Sequence, residues 1–157
     1  MPPKSTNRAN KREDIIQASA VLFEKVGYHR ASMQMVAEEV GLGKPTLYHY
    51  FKSKNEILYA IHQEMATQVL QLHDTRLQKG LAPDELLEGM AKDMLTFIKK
   101  HPGYVRAFFE HFDELGDDHK EAIRAQRTLY MKAAIDVIDK GIKADLFKKC
   151  NPRIAAF

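Results

Sequence analysis

The sequence predicts an all-α protein, on three observations. Apolar residues recur at i, i+3, i+4 and i+7 along most of the chain, the spacing of one helical face. Helix-opening residues (Ser, Asp, Asn, Pro) and a closing Gly punctuate these stretches. Strand signals are missing: there is no sustained period-2 alternation and no Asn-Gly or Asp-Gly hairpin. The chain has 157 residues, 45% of them apolar, which suits one or two folded domains and excludes disorder. No apolar run approaches the ~18 residues of a membrane span, and no signal-peptide pattern opens the chain. The single cysteine, Cys150, cannot form an internal disulfide and suits a reducing, cytoplasmic setting. Lys148 and Lys149 precede it, but an incidental thiol is the simpler reading.

In chain order, residues 1–8 are polar with two prolines and are expected to be disordered when free. A helix follows from about Lys11 to Val26, with Ile15, Ala18, Leu22, Phe23 and Val26 on one face and Gly27 ending it. Residues 32–58, SMQMVAEEVGLGKPTLYHYFKSKNEIL, then predict two short helices, a tight turn between them, and the start of a third. Ser32 caps the first, whose inward residues are Met33, Val36, Ala37 and Val40. Gly41 supplies the left-handed turn conformation, and Pro45 suits the first turn of the next helix, Lys44 to Phe51. That helix is too short to be stable alone, so its neighbours must hold it through Leu47 and Phe51. Lys44, Thr46, Tyr48, His49 and Tyr50 are left largely outside. A short helix anchored by two apolar residues and covered with donors is what major-groove reading requires.

Ser53-Lys54-Asn55-Glu56 predicts a capping box, with Glu56 reaching back to the Ser53 N–H, and a long helix to about Lys79, ended by Gly80. Further helices are expected from Pro83 to before Pro102, from Pro102 to about Phe112 with Gly116 breaking it, and from an Asp118 cap to about Lys140, before Gly141. Asn151-Pro152 opens a last helix, of which barely a turn follows.

Charge is uneven. Residues 1–60 hold nine Lys and Arg against six Asp and Glu, whereas the remainder holds fifteen of each. The net +3 therefore sits beside the helix-turn-helix, and Lys4, Arg8, Lys11 and Arg12 open the chain with no acidic partner among its first twelve residues. Such a segment reads either as a solvated tail or, next to this motif, as an arm facing phosphates.

The segment is similar to the DNA-binding domain of the tetracycline-repressor (TetR) family. That family's signature runs Thr/Ser, three residues, Ile/Val-Ala, Gly-Val/Leu, Tyr-x-Tyr-Phe and Lys. Here Ser32, Val36-Ala37, Gly41-Leu42, Tyr48-His49-Tyr50-Phe51 and Lys54 stand in matching positions. Val36 replaces the commoner Ile, and Val40 the usual Ala. Phe23 and Gly27-Tyr28 resemble the end of the family's first helix. The match covers roughly the first 60 residues closely; beyond them only helix pattern and length agree. The resemblance implies a DNA-binding domain over residues 1–52, with its helix-turn-helix at about 33–51, and a helical regulatory domain over 53–157. It implies that Gln34, Lys44, Thr46 and Tyr48 reach bases while His49, Tyr50 and Lys54 contact the DNA backbone, with Ser32 and Pro45 completing the surface. Tyr48 could equally pack within the small domain.

The later helices are rich in Met and aromatic residues: Met65, Met90, Met94, Phe97, Tyr104, Phe108, Phe109, Phe112, Tyr130 and Met131. For any one of them a core position is the simplest reading, although such side chains also line pockets for apolar ligands. The resemblance implies an inducer cavity, for which Met90, Met94, Phe97, Phe108, Phe112, Arg127, Tyr130 and Met131 are the candidate lining. Arg127 lies near the inward face of its helix with Ile123, Tyr130 and Ala134, and a buried Arg must be paired. Its partner is either an acidic neighbour or an anionic inducer such as an acyl-CoA ester.

The stretch from Glu110 to His119 contains metal-ligand types, but a solvated acidic helix end looks the same, and no metal or cofactor is expected. There is no HExxH, nucleophile elbow, phosphate-binding glycine loop or cysteine cluster. The expected function is therefore a ligand-responsive repressor, not an enzyme, that binds a palindromic double-stranded operator as a homodimer and is released by a small apolar or amphipathic inducer. The alternative is a small all-α enzyme or ligand carrier with an incidental helix-turn-helix. TetR-like chains usually continue with two more long helices that build the dimer interface. On that resemblance the sequence stops at the start of the dimerisation region; if 157 residues are the whole polypeptide, the family's dimer interface is missing, and the protein is expected to be monomeric or to associate through another surface.

Overall fold

The computed structural model describes residues 8–156, and all the regular structure among them is helical. Lys4 and the prolines of the expected tail, and Phe157, lie outside the described residues. The helices are α1 (Arg8–Val26), α2 (Met33–Glu39), α3 (Lys44–Tyr50), α4 (Lys54–Gln78), α5 (Pro83–Lys100), α6 (Pro102–Glu110), α7 (Asp117–Lys143) and α8 (Pro152–Ala155), with a 3-10 turn at Phe112–Glu114. They form two compact units. The first runs up to Glu64 and includes His101–Lys120; the second holds Met65–Lys100 and the chain from Glu121 onward. The helices α4 and α7 contribute to both.

In the first unit α1 packs on both α2 and α6. Two neighbours demand two apolar sides, so the buried face is wider than the predicted stripe. Ile15, Leu22 and Phe23 are buried as expected, Ile16, Ser19 and Ala20 join them, and Ala18 and Val26 are only partly covered. The buried Ser19 hydroxyl is satisfied, donating to the Ile15 carbonyl at 2.6 Å. Helix α6 approaches closely: the Ala20 carbonyl occupies the place where a Cβ on Gly103 would sit. Next to it the Tyr104 hydroxyl donates to Glu64 Oε2 at 3.0 Å. Burial, then the Glu64 carboxylate, push the Tyr104 phenol far above its ordinary pKa.

Several predicted boundaries shift. The first helix is already formed at Arg8, ahead of the predicted Lys11. At the start of α4, Ser53 Oγ accepts from the Glu56 N–H at 3.1 Å as the capping box requires. Glu56 Oε2, however, accepts from Lys52 N at 2.6 Å, one residue before the predicted N–H. Helix α6 stops at Glu110, not Phe112, and the 3-10 turn follows it. Helix α7 then opens at Asp117, with the Gly116 carbonyl accepting from Lys120 N at 2.9 Å. Asp118 is thus not the cap; with Asp117 it lies in the first turn, where negative charge meets the positive end of the helix dipole.

In the second unit Leu86 and Met90 of α5 and Ala134 and Val137 of α7 form the core, with Leu81, Leu87, Tyr130 and Ala156 packed against it. Arg76 of α4 grips Asp93 of α5 through two parallel bonds of 2.7 Å, which hold the Asp93 carboxyl below the usual carboxylate range. Gly141 was expected to follow the end of α7, yet the helix runs through it to Lys143. The ring of Phe147 fills the space a Gly141 side chain would need, so this glycine serves packing rather than termination. The chain turns instead at Asp145, which takes φ +56, and the Gly141 carbonyl accepts from Leu146 N at 2.9 Å. Asn151 caps α8 as predicted, its side chain accepting from Arg153 N at 3.0 Å.

Candidate DNA-binding interface

Helix α2 starts where Ser32 Oγ accepts from Met35 N at 3.2 Å. Val36 and Ala37 are buried, while Met33 and Val40 are half-covered. Gly41, at φ +63, reverses the chain, and Leu42 N returns to the Ala37 carbonyl at 2.8 Å. Gly43 then opens α3 with Pro45 in its first turn. Leu47 is fully buried within this helix, and Phe51, just past its end, is 2% exposed. This two-point anchor is the one the sequence predicts.

The anchor fixes what α3 shows to solvent. Lys44, Pro45, Thr46 and His49 are exposed; Tyr48 and Tyr50 are half-buried. Gln34 on α2 is also exposed and donates to Glu38 Oε1 at 2.7 Å, a contact with a neighbour four residues on. Between Glu39 and Glu56 the chain carries no acidic residue, while Lys44, Lys52 and Lys54 lie within that interval. The α3 surface is therefore cationic and rich in hydrogen-bonding groups, which suits phosphates and base edges together. Lys52 lies outside the expected contact set although it directly follows the aromatic run; it is exposed, with Nζ donating to the Tyr48 carbonyl at 2.9 Å.

Two of the basic residues that open the chain belong to this surface's support. The Arg12 guanidinium lies over the Phe51 ring, 4.8 Å from its centre, and Lys11 Nζ reaches the Val40 carbonyl at 3.5 Å. They are placed by α1, not by a free tail. Lys54 is turned inward. Its Nζ donates to the carbonyls of Tyr28 at 2.6 Å, Ala31 at 3.0 Å and His29 at 3.4 Å, and lies 4.3 Å from the centre of the Tyr28 ring. Burial lowers its pKa. Its three protons are thus directed into the loop before α2 rather than outward, a destination that the spacing of the motif does not reveal.

The residues expected to line an inducer cavity divide between the units. Phe108 and Phe112 belong to the first, with ring centres 5.2 and 6.1 Å from that of the fully buried His62. The other six belong to the second. Met90 is part of its core cluster and Tyr130 packs against it, Phe97 is buried and Met94 half-buried. Arg127 and Met131 border a groove of about 670 Å³ that Thr128, Ile135 and Arg153 also line. Burial first, then the neighbouring Arg124 charge, hold the Arg127 pKa below its ordinary value. Among the described residues no group of three His, Cys, Asp or Glu side chains is arranged to hold a metal ion. Glu114, within the acidic stretch, pairs instead with His29 Nε2 at 3.2 Å.

Two family models match the chain, one toward each end. A family model described as bacterial regulatory proteins of the tetR family matches residues 15–61, and one described as a tetracyclin repressor-like C-terminal domain matches residues 80–157. The chain is 26% identical over 148 residues to the uncharacterized HTH-type transcriptional regulator YhgD of Bacillus subtilis, covering 94% of this chain and 78% of that protein. It is 20% identical over 148 residues to the HTH-type transcriptional repressor KstR2 of Mycolicibacterium smegmatis, covering 94% of this chain and 72% of the relative. Among solved structures, AibR in complex with isovaleryl coenzyme A and operator DNA superposes with a TM-score of 0.82 at 21% identity, over 94% of this chain and 79% of that one.

Proposed function

The chain belongs to the tetracycline-repressor family of transcriptional regulators, and from that premise we propose that it is a ligand-responsive repressor released from a palindromic operator by a small amphipathic inducer. The family consists of DNA-binding regulators rather than enzymes. The observation that carries the proposal is the α3 surface: Lys44, Thr46 and His49 exposed on a helix pinned by Leu47 and Phe51, in an interval free of acidic side chains. Lys44, Thr46 and Gln34 read base edges, with Tyr48 beside them. His49, Tyr50 and Lys52 meet the backbone, and Ser32 and Pro45 shape the two helix starts. A two-fold dimer sets two such helices in successive major grooves. The proposed place of work is at DNA in the cytoplasm; no described helix is long and apolar enough to cross a membrane.

For the inducer, the support is chemical. Arg127 is a half-buried cation beside a groove that also holds Met131 and Ile135, so an anionic head with an apolar tail suits it. The structural neighbour AibR was solved with isovaleryl coenzyme A, an anionic acyl ester of this kind. An acyl-CoA ester is accordingly the proposed inducer class. The experiment is a mobility shift on random-sequence duplex at two salt concentrations, followed by selection of preferred duplexes and release by acyl-CoA esters. Absence of any salt-dependent DNA binding would overturn the proposal.

A further inference from the structure

Both chain segments that flank the helix-turn-helix are tied to one residue outside it. His29, in the loop leading to α2, points Nε2 at Glu114 Oε1, 3.2 Å away. Asn55, at the start of α4, donates from Nδ2 to the Glu114 carbonyl at 2.5 Å. Aromatic packing closes the junction: the His111 ring centre lies 5.2 Å from that of Tyr28 and 5.8 Å from that of His29. All of these residues belong to the first unit.

We propose that Glu114 is a positioning residue for DNA binding: the 3-10 turn after α6 braces both flanks of the helix-turn-helix and so fixes the setting of α3. The proposal rests on the DNA-binding reading above. Helix α3 spans seven residues and buries only Leu47 among them, too little to hold its own orientation. A recognition surface needs its supporting contacts to keep it in the productive geometry. With the Glu114 side chain removed, the Asn55 bond to its backbone carbonyl remains, but the loop at residues 28–31 samples more positions, and DNA must order it on binding, which weakens affinity. His29 and Glu114 are both partly solvated, so the effect of this pair alone is modest, about two- to fivefold.

The test uses the whole chain, a duplex selected by the wild-type protein from a random-sequence pool, and thermal melting in parallel. Glu114→Ala and His29→Ala should each weaken binding by about two- to fivefold at nearly unchanged melting temperature. The double variant should lose no more than His29→Ala, because that substitution already removes the contact with Glu114 together with the ring contact to His111. Glu114→Gln keeps the oxygen that accepts from His29 and should restore most of the affinity. Wild-type affinity in Glu114→Ala, or strictly additive losses in the double variant, would overturn the brace. If Glu114→Ala melts early, His29→Ala decides, since it breaks the contact from the more exposed side; wild-type affinity there sinks the proposal. A wild-type protein that binds no duplex removes the DNA-binding reading and this inference with it. A wild-type protein that binds, with variants equal to it, removes the inference alone.

Discussion

Lys54 Nζ lies 2.6 Å from the carbonyl oxygen of Tyr28 and 4.3 Å from the centre of the same residue's ring. The ammonium therefore closes a loop around the DNA-reading motif, joining the helix that follows it to the turn that precedes it. Lys54→Met keeps much of the apolar stem but leaves these carbonyls without their charged donor. A cost of about 1–3 kcal/mol is expected, visible as a lower melting temperature, with binding to all DNA sequences falling alongside. If melting is unchanged while the salt dependence of DNA binding flattens, Lys54 meets phosphate instead, as its place in the family signature implies.

Lys44 and Thr46 are exposed polar residues at the start of α3. Replacing either by Ala should relax base preference, costing about 1–3 kcal/mol on the selected duplex and much less on random DNA. Equal losses on both would remove that residue from the base readers.

His111 gives a pH dependence of defined sign. Burial holds its pKa below the ordinary 6.5; Glu110 and Glu114 oppose the shift, and His29 and Arg106 add to it. The unfolded chain takes up this proton near its ordinary pKa, whereas the folded chain resists it until lower pH. This group's contribution to stability is therefore full above the ordinary value and declines as pH falls below it. In melting experiments across pH 5–8, the wild-type protein should lose more stability toward acid than His111→Gln. Parallel curves for the two would show that His111 does not carry the effect.

Arg127→Met should leave folding and operator binding intact while abolishing release by acyl-CoA esters. A shift in melting temperature with those esters, present in the wild-type protein and lost in the variant, is the direct readout. Unfolding of the variant would place Arg127 in a structural pair instead.

What was legible in the sequence is what local chemistry decides. The Ser32 cap, the Gly41 reversal, Pro45 in the first turn of α3 and the buried Leu47 and Phe51 all depend on neighbours within a few residues, and all stand where the spacing puts them. The same holds for the Asn151 cap of α8. Features set by packing, or by a choice between competing partners, were not legible. Gly141 looks like a stop signal in sequence, yet the Phe147 ring makes it a packing position. Glu56 was assigned to its own cap N–H but reaches Lys52, because a flexible carboxylate has two nearby donors and backbone geometry chooses between them. Lys54 gives no sequence sign of its three carbonyl partners, which lie more than twenty residues earlier in the chain. The division of Phe108 and Phe112 from Met90 and Tyr130 follows from where α6 packs, and helical periodicity carries no information about that.

The backbone contact between Gly103 and the carbonyl of Ala20 has a mechanical consequence. Where two helices meet through side chains, a small displacement of one is absorbed by rotamer changes in the other. Here the Gly103 backbone meets the Ala20 carbonyl directly, so at this point of the junction between α6 and α1 no rotamer change can absorb a closer approach. A translation of α6 by a fraction of an ångström must move α1 by a comparable amount or break the joint. Because α1 also carries Arg12 against Phe51, that stiffness extends to the foot of α3. Enlarging Gly103 even to Ala would act as a wedge, tilting the rod on which the reading helix is mounted.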